Sequence, residues 1–325
     1  MMLEQIFPDI VAQARLAPSA HNTQPARWRL AGDRIEIHAD LTRRLPVGDP
    51  DDRDLMVAIG AAVEGTVLAL ASHGIGATVK TLDRSASDQL KPLASVIPGG
   101  AAGAEDVALA PHALTRSTHR LGFSSAPPEA LDGLTGTGVH LVRDAREIAD
   151  LARTIDRASA AILRDRAFRE ELLSWMRLSP GDSGYAIDGL NRETLGLGPG
   201  MARATGLVLG TGLYGLLAAM GLGPRLSGEA EVSAKASGVA LMHWPQDGSI
   251  LEAGRAFYRF WLEVSAAGLV AWPAAALADH PATASALHAR FALPKGDRLY
   301  NALRLGRPMG ETPSRTRLRA EDVMV

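Results

Sequence analysis

Residues 17–25 read A-P-S-A-H-N-T-Q-P. The interpretation of the other segments of the chain depends on this stretch. Pro18 and Pro25 bracket it and end the helical pattern that precedes it, because proline cannot continue a helix. Between the prolines lie five side chains that donate or accept hydrogen bonds: Ser19, His21, Asn22, Thr23 and Gln24. On composition alone this is a polar loop with a helix stop, although it is more polar than a plain surface turn requires.

The same residues resemble the A-P-S-x-x-N-x-Q-P-W signature of the flavin-dependent nitroreductase superfamily. In that family the loop lies against a bound FMN, so the resemblance implies cofactor contacts from four residues: Pro18, Ser19, Asn22 and Gln24. The three polar members would hydrogen-bond the ribityl chain or the ring edge. The final tryptophan of the signature is replaced by Ala26, and Trp28 follows two positions later.

A second stretch, which is basic, carries another part of the resemblance. In R-S-T-H-R, Arg116, Thr118 and Arg120 occupy alternate positions, so an extended chain would place two guanidiniums and a hydroxyl on one side. By itself the stretch is open to interpretation as a solvated basic turn. It resembles the R-x-S-x-R/K element that opens nitroreductase chains, and the resemblance implies that it grips the FMN phosphate.

A basic pair near the C-terminus is the third part. Arg315 and Arg317 lie in P-S-R-T-R-L, and the family carries a similar pair that completes the phosphate site. Without the resemblance the pair is best explained as an exposed tail. Arg304 and Arg307 are weaker candidates for the same role.

Periodicity and turn signals predict the elements around these motifs. The first half is predicted to contain helices at 3–16 and 55–73, a hairpin of strands at 27–30 and 34–38, and a strand at 76–82. A flexible, glycine-rich break is expected at 97–104. The second half is predicted to contain strands at 107–110, 139–142, 231–243, 268–273 and 300–305, and helices at 130–134, 144–175, 202–220, 251–267 and 282–291.

The order of elements indicates an α+β fold of two fused repeats, each with a small, mostly antiparallel sheet flanked by helices, and the resemblance implies that this fold is nitroreductase-like. The predicted repeats are residues 1–104, which carry the flavin-contacting loop, and 105–325, which carry the phosphate clamp. The pairing of 68–79 with 261–272 indicates a divergent duplication. The long Gly- and Pro-rich stretch at 178–200 is predicted to be a lid-like insertion.

The family resemblance also implies how the repeats cooperate. Nitroreductases are normally homodimers that hold each FMN between subunits, whereas this chain has one P-S-A-H-N loop and one R-S-T-H-R element. The parts make one flavin site in a monomer that mimics a dimer. Gly268 and Leu269, at the start of the second glycine-led strand, would offer backbone N–H groups near the flavin N5.

Composition excludes several other classes of function. The 325 residues carry 34 basic and 36 acidic side chains, for a net charge of −2, so no nucleic-acid partner is indicated. The chain has no cysteine, and its histidines lack metal-site spacing, so no metal site is expected. The acidic residues at 49–54 favour a helix N-terminus over a cation site. With no signal-peptide pattern, and with 206–223 read as a buried helix rather than a membrane span, the expected location is the cytoplasm.

The expected function is an FMN-dependent oxidoreductase that transfers hydride from NAD(P)H through the flavin to small nitro compounds or quinones. No protein nucleophile or other catalytic side chain is required. The alternative is a flavin-sequestering protein whose site is capped by the 178–200 segment. The sequence does not distinguish NADH from NADPH, and it does not identify the physiological substrate.

Overall fold

The first third of the chain builds a four-stranded sheet in the computed structural model, which describes residues 3–83, 85–86, 89–124, 128–223, 226 and 228–325. The strands are β1 (Ala26–Ala31), β2 (Arg34–Asp40), β3 (Ile75–Thr81) and β4 (Leu90–Ala101). They lie in the order β1-β2-β4-β3, and all neighbours are antiparallel. The predicted hairpin is confirmed, and Gly32 takes the positive φ of +66° that its turn requires.

The second sheet lies in the C-terminal two thirds of the chain. Its strands are β6 (Val139–Val142), β9 (Gly238–Pro245), β10 (Val270–Pro273) and β11 (Asp297–Pro308), in the antiparallel order β6-β9-β11-β10. The short strand β5 (Phe123–Ser124) also pairs with β11. A separate two-residue parallel pair joins β7 (Met176–Arg177) to β8 (Leu190–Asn191).

Helices pack against both sheets and join them, which confirms the α+β class. In chain order they are α1 (Leu3–Ala14), α2 (Arg53–Ser72), α3 (Ala104–Leu109), α4 (His112–Thr115), α5 (Ala145–Ile162), α6 (Arg166–Ser174), α7 (Pro199–Gly210), α8 (Leu213–Ala219), α9 (Ala230–Ser233), α10 (Ile250–Ala266), α11 (Ala276–Asp279), α12 (Pro281–Arg290) and α13 (Ala320–Val323). Short 3-10 turns occupy Ala20–Asn22, Leu41–Arg43 and Pro128–Leu131.

The two sheets share one topology. In each, two strands precede a long helix, a third strand follows it to form one edge of the sheet, and a fourth strand enters the middle. The helices α2 and α10 end 194 residues apart, at Ser72 and Ala266, and the glycines Gly74 and Gly268 that follow have φ values of +73° and +71°. The pairing of 68–79 with 261–272 that the sequence suggested has an offset of 193 residues, which is one residue less than the offset of 194 between the two helix ends. The duplication and the boundary at 104/105 stay predictions.

The two long helices cross where glycines allow their backbones to touch. A Cβ atom on Gly60 of α2 would lie 2.1 Å from the carbonyl oxygen of Leu251 in α10. Reciprocally, a Cβ on Gly254 would lie 2.3 Å from the carbonyl oxygen of Val57. Any larger residue at either position would have to push one helix away from the other.

Two expectations around residue 100 were wrong. The predicted flexible break at 97–104 is mostly the end of β4, where Ile97 and Pro98 pair with β3. The predicted strand at 107–110 is the helix α3, which begins after Gly103 with Glu105 and Asp106 in its first turn. Acidic residues at that position stabilise a helix N-terminus, and this local signal outweighed the short apolar pattern.

Three longer elements in the second half also differ from expectation. The predicted helix at 144–175 is divided into α5 and α6, because Asp165 caps a new helix by accepting a hydrogen bond from the backbone N–H of Ala167 at 2.8 Å. Within the predicted strand at 231–243, the N-terminal residues form α9 instead. The predicted buried helix at 202–220 is two helices, α7 and α8, bent by 83° and largely exposed; Leu207 and Leu216 are about 60% exposed.

Helix α2 is long, apolar and mostly buried. By length and composition α2 is able to span a membrane, yet 89% of the relevant window is buried inside the protein. Its side chains form the first hydrophobic core together with α1 and the first sheet. The bent pair α7 and α8 passes the same composition test only if the two helices are counted as one span.

Candidate functional site

A cavity of about 540 Å³ lies where segments from both halves of the chain meet. Its walls come from the loop at 17–25, the N-terminal half of α2, the extended chain at 116–120, the 178–200 segment, the middle of α10 and the tail at 313–317. Of the residues predicted to bind a cofactor, eight line this cavity: Pro18, Ser19, Asn22, Arg116, Thr118, Arg120, Arg315 and Arg317.

The loop at 17–25 has a strained backbone. His21, Asn22 and Gln24 have φ values of +47°, +56° and +51°, a left-handed region that residues other than glycine rarely occupy. The strain is held in place from inside the loop, where the hydroxyl of Ser19 accepts a hydrogen bond from the backbone N–H of Gln24 at 2.9 Å. Such strain is concentrated at binding and active sites.

Gln24 holds the loop to its surroundings and lies outside the cavity lining. Its Nε2 donates to the carbonyl oxygen of Ile187 at 2.9 Å, and its Oε1 accepts from the backbone N–H of Leu318 at 2.8 Å. Trp28, two positions after the place of the signature tryptophan, is 2% exposed in the first core and donates to the hydroxyl of Thr66 at 2.8 Å. Both side chains therefore position the loop.

Residues 116–120 run beside β10 in extended form, with Thr118 bridged to Ala271. The alternation places Arg116, Thr118 and Arg120 on the cavity wall. His119 is fully buried instead, with its ring nitrogens 2.8 Å from the carbonyl oxygen of Gly122 and 2.9 Å from the hydroxyl of Thr312. The predicted one-sided presentation of the two guanidiniums is therefore what the structure has.

Arg116 is buried without an adequate partner. It is 2% exposed, and its guanidinium stacks on the ring of Trp261 at 4.5 Å. Its Nη2 has a long contact of 3.4 Å to the carbonyl oxygen of Leu16, while Nε and Nη1 are buried with no hydrogen-bond partner. Burial lowers its pKa to about 10; the neighbouring Tyr258 opposes this shift, and the charge of Arg315 adds to it. A buried cation with unsatisfied donors is costly unless an anion accompanies it.

The C-terminal tail adds two more guanidiniums to the same place. Nη1 of Arg317 donates to Oδ1 of Asn22 at 2.7 Å, which joins the tail to the loop, while its Nε is buried and unpartnered. Burial lowers the pKa of Arg317 to about 9, and the charges of Arg116 and Arg315 lower it further. Arg315 uses its donors on backbone carbonyl oxygens at the end of α4, including that of Arg116 at 2.8 Å.

Together these side chains form a cluster of buried positive charge, which we call the arginine group: Arg116, Arg120, Arg315 and Arg317. Burial lowers the pKa of Arg120 to about 10. In the part of the chain that the structure describes, no member is ion-paired with a carboxylate; their hydrogen bonds go to backbone carbonyls and to Asn22. By contrast, Arg304 is buried on Trp272 and paired with Glu229 at 2.8 Å, so it lies behind the wall as a structural residue.

Besides Gln24, two further predicted contacts, Gly268 and Leu269, are not on the cavity wall. Gly268 is the left-handed residue after α10, and Leu269 is 4% exposed in the core of the second sheet. The same strand reaches the cavity at its other end, through Trp272 and Pro273. Gly268 is exposed at the surface and Leu269 is buried, so neither of them reaches the cavity.

The 178–200 segment is fixed in part to the loop and the cavity wall. Asn22 donates to the carbonyl oxygen of Gly189 at 3.1 Å, and Leu190, Thr194 and Leu195 line the cavity. Tyr185 lies outside the cavity lining, where its hydroxyl donates to Glu193. Ile187 is 42% exposed and is also absent from the wall.

Sequence reasoning did not assign several wall residues. His21 belongs to the loop already singled out, and burial lowers its pKa. Aromatic side chains from three distant elements complete the apolar part of the wall, namely Phe168, Phe257, Trp261 and Trp272. Asp54 and Asp279 add carboxylates. An isolated aromatic or acid in a helix gives no sequence signal of this kind, because its role depends on which surface the helix turns toward the cavity.

Comparisons with known proteins agree with this architecture. The chain is 31% identical over 186 residues to a Mycobacterium tuberculosis H37Rv protein provisionally named NAD(P)H nitroreductase Rv3131, and it spans about half the length (52%) of that relative. It is 28% identical over 133 residues to a second one of the same strain, provisionally named NAD(P)H nitroreductase acg, covering 38% of it. A solved structure from Anabaena variabilis, provisionally named a nitroreductase, matches 94% of this chain and 88% of its own, with a TM-score of 0.53 and 10% identity. No family model matches the chain.

Proposed function

We propose that this chain, which resembles nitroreductases in fold and in part of its sequence, is an FMN-dependent oxidoreductase. It would take electrons from NAD(P)H and reduce a small electrophile such as a nitroaromatic compound or a quinone. The observation that carries this proposal is the arginine group, which three segments distant in sequence bring to one wall of the cavity. The similarity of the chain to a protein provisionally named NAD(P)H nitroreductase favours this function over flavin sequestration.

The donor set fits the phosphate of FMN. Nε and Nη1 of Arg116 and Nε of Arg317 are buried without partners, and a phosphate dianion has enough acceptor oxygens to satisfy all of them. A dianion would also offset the repulsion among the guanidiniums, which helps to lower their pKa values. Thr118 adds a hydroxyl donor beside them.

The remaining wall suits the rest of the cofactor. Pro18, Ser19 and Asn22 would face the ribityl chain or the ring edge, while the aromatic side chains offer apolar surface to the ring system. Bound FMN would supply the hydride chemistry, which no side chain on this wall can carry. The protein's contribution is to bind, to orient and to exclude water.

The proposal includes the arrangement expected from the sequence. Residues 1–104 and 105–325 would be two fused units that form one flavin site, so that a monomer takes the place of the usual dimer. The cytoplasmic location is likewise part of the proposal.

One FMN per chain is the direct expectation. The protein, saturated with FMN and freed of excess, should release flavin on acid treatment in a ratio near one to protein, because the chain has one arginine group and one loop. Anaerobic addition of NADPH or NADH should then bleach the flavin absorbance. A ratio near two would contradict the single-site proposal, and a flavin that neither nucleotide bleaches would contradict the reductase.

We also propose that the 178–200 segment restricts access to the cavity. Its anchor is Asp188, which is 9% exposed and accepts hydrogen bonds from Arg43 at 3.2 Å and from Arg177 at 2.8 Å. Both arginines extend from outside the segment, so this carboxylate holds the segment in place. Removing one partner of a buried ion pair of this kind typically lowers the free energy of unfolding by about 3–5 kcal/mol.

Replacement of Asp188 by alanine should therefore release the segment. We expect limited proteolysis within 178–200 to become about tenfold faster or more, and bulky acceptors to be reduced faster than by the wild type, whereas small quinones change little. Asp182→Ala is the matched control, since that exposed carboxylate accepts only a local hydrogen bond from Ser179. Equal effects of the two substitutions would mean that the segment does not gate the cavity.

A further inference from the structure

Two carboxylates on the cavity wall converge on one guanidinium nitrogen. Nη2 of Arg53 donates to Oδ1 of Asp54 at 2.8 Å and also to Oδ1 of Asp279. Asp54 lies in the first turn of α2, and Asp279 is the last residue of α11, so the contact joins the two halves of the chain. The side chains are 15% and 23% exposed, and both residues line the cavity.

The charges around this pair do not balance. Asp49, which is 5% exposed, adds a third carboxylate whose Oδ2 accepts from the backbone N–H of Leu55 at 2.9 Å. The groups acting on Asp279 are thus Arg53, Asp54 and Asp49, while the adjacent His280 hydrogen-bonds Thr283 instead. Three carboxylates beside one guanidinium leave excess negative charge, and crowded carboxylates relieve it by sharing a proton.

The direction of the titration agrees with the geometry. Burial raises the pKa of Asp279 to about 7, and the charge of Asp54 raises it further, against the opposing effect of Arg53. Burial also raises the pKa of Asp49. Within this coupled group, burial and the neighbouring carboxylates both favour the protonated form of Asp279.

A separate observation supports the presence of an anionic ligand in the cavity. Arg116, on the same wall, is almost fully buried with two unpartnered donor atoms. An anionic ligand that satisfies Arg116 enters the cavity that Asp54 and Asp279 line. The carboxyl pair and the ligand then share one cavity.

We propose that Asp279, held by Arg53 and Asp54, is the proton donor to the acceptor being reduced, and that the acceptors are quinones or related carbonyl compounds. This inference rests on the proposed function. The quinone gains a hydride equivalent that originates from the reduced nicotinamide. The O–H bond of the Asp279 carboxyl breaks as an O–H bond forms at a quinone oxygen, and the carboxylate takes its next proton from water. The products are the hydroquinone and the oxidised nicotinamide.

The first test needs no flavin and no turnover. Carboxyl titration of the flavin-free full chain, followed by 13C NMR of labelled aspartate, should reveal one group that titrates between about pH 6 and 8, far above an ordinary aspartate. The signal should vanish in Asp279→Asn. In Asp54→Asn it should move to lower pH, because a neighbouring like charge is removed. Absence of any such titration in the wild type would overturn the inference.

The second test separates proton transfer from electron transfer. The flavin-loaded protein is reduced with dithionite and mixed with a benzoquinone or with ferricyanide, which accepts an electron without a proton. Quinone reduction should slow as the pH rises through about 7 in the wild type, since the acid form is lost. It should be about 100-fold slower and independent of pH in this range in Asp279→Asn, with ferricyanide rates nearly unchanged.

The control is Asp132→Asn, which removes a carboxylate from an exposed pair with Arg143 and should change neither rate. Equal slowing of both acceptors by Asp279→Asn would assign the residue a structural role and reject the inference. The proposed function has its own separate failure: a wild-type flavin that NAD(P)H does not bleach, while the quinone reaction after dithionite still depends on Asp279.

Discussion

Alanine at position 254 should destabilise the protein by about 3 kcal/mol or more and lower its melting temperature by about 6 °C or more. The new Cβ would lie 2.3, 2.8 and 2.9 Å from backbone atoms of Val57, and backbone cannot turn aside as a long side chain can. The helices α2 and α10 would have to separate, which loosens the contact between the two halves beside the cavity. Thermal and urea unfolding measure the effect.

A matched control exists in α8. Gly215 is also a helical glycine, but a Cβ there would meet nothing within 4 Å. Gly215→Ala should therefore stabilise the protein slightly, by up to about 1 kcal/mol, because alanine favours the helix. Gly60→Ala should behave like Gly254→Ala, since its Cβ would meet the carbonyl oxygen of Leu251 at 2.1 Å. If Gly254→Ala is as stable as the wild type, the close crossing is wrong.

Substitution of Arg116 by methionine should weaken FMN binding by about 10- to 150-fold, the value of one charge-assisted hydrogen bond of about 1.5–3 kcal/mol. Riboflavin, which lacks the phosphate, should bind nearly as before. The flavin-free protein should become more stable by about 1–3 kcal/mol, because two buried donors without partners are removed. Fluorescence titration with both flavins and thermal unfolding of the flavin-free protein measure these changes.

Arg169 offers the matched control for this substitution. It is 6% exposed, stacks on Tyr214 at 5.0 Å and has an unpartnered Nε, but it does not line the cavity. Arg169→Met should leave the ratio of FMN to riboflavin affinity unchanged. Equal loss of both flavins in Arg116→Met would place the phosphate elsewhere and remove the main support for the proposed cofactor site.

Local elements of the fold were predictable where neighbouring residues decide them. The helix α1, the hairpin turn at Gly32 and the stop after α10 at Gly268 follow from periodicity and turn chemistry. The prediction of a strand at 107–110 was wrong because four apolar residues fit a helix as well as a strand. The acidic residues before them stabilise the helix N-terminus and so favour the helix. The helix at 202–220 was expected to be buried because it is apolar, yet burial requires a partner surface and the fold leaves much of it uncovered.

The features of the site also divide into those that the sequence predicted and those that only the tertiary structure shows. The alternation of Arg116, Thr118 and Arg120 was visible in the chain, because side-chain direction in an extended segment depends on the segment alone. That Arg317 reaches Asn22, nearly 300 residues away, was suggested only by the family resemblance. The position of Asp279 beside Asp54 carried no signal in the sequence.

The sequence by itself determined the local structure where periodicity and turn signals are strong, the residues of the polar loop and the number of basic side chains available for an anion. Only the tertiary structure decided that the arginine group is buried without carboxylates, that two glycines meet at the crossing of α2 and α10, and that two aspartates share one nitrogen of Arg53. The physical reason is the distance along the sequence over which each interaction acts. Periodicity and turn chemistry act over a few residues, whereas burial and charge balance depend on which distant segments pack together.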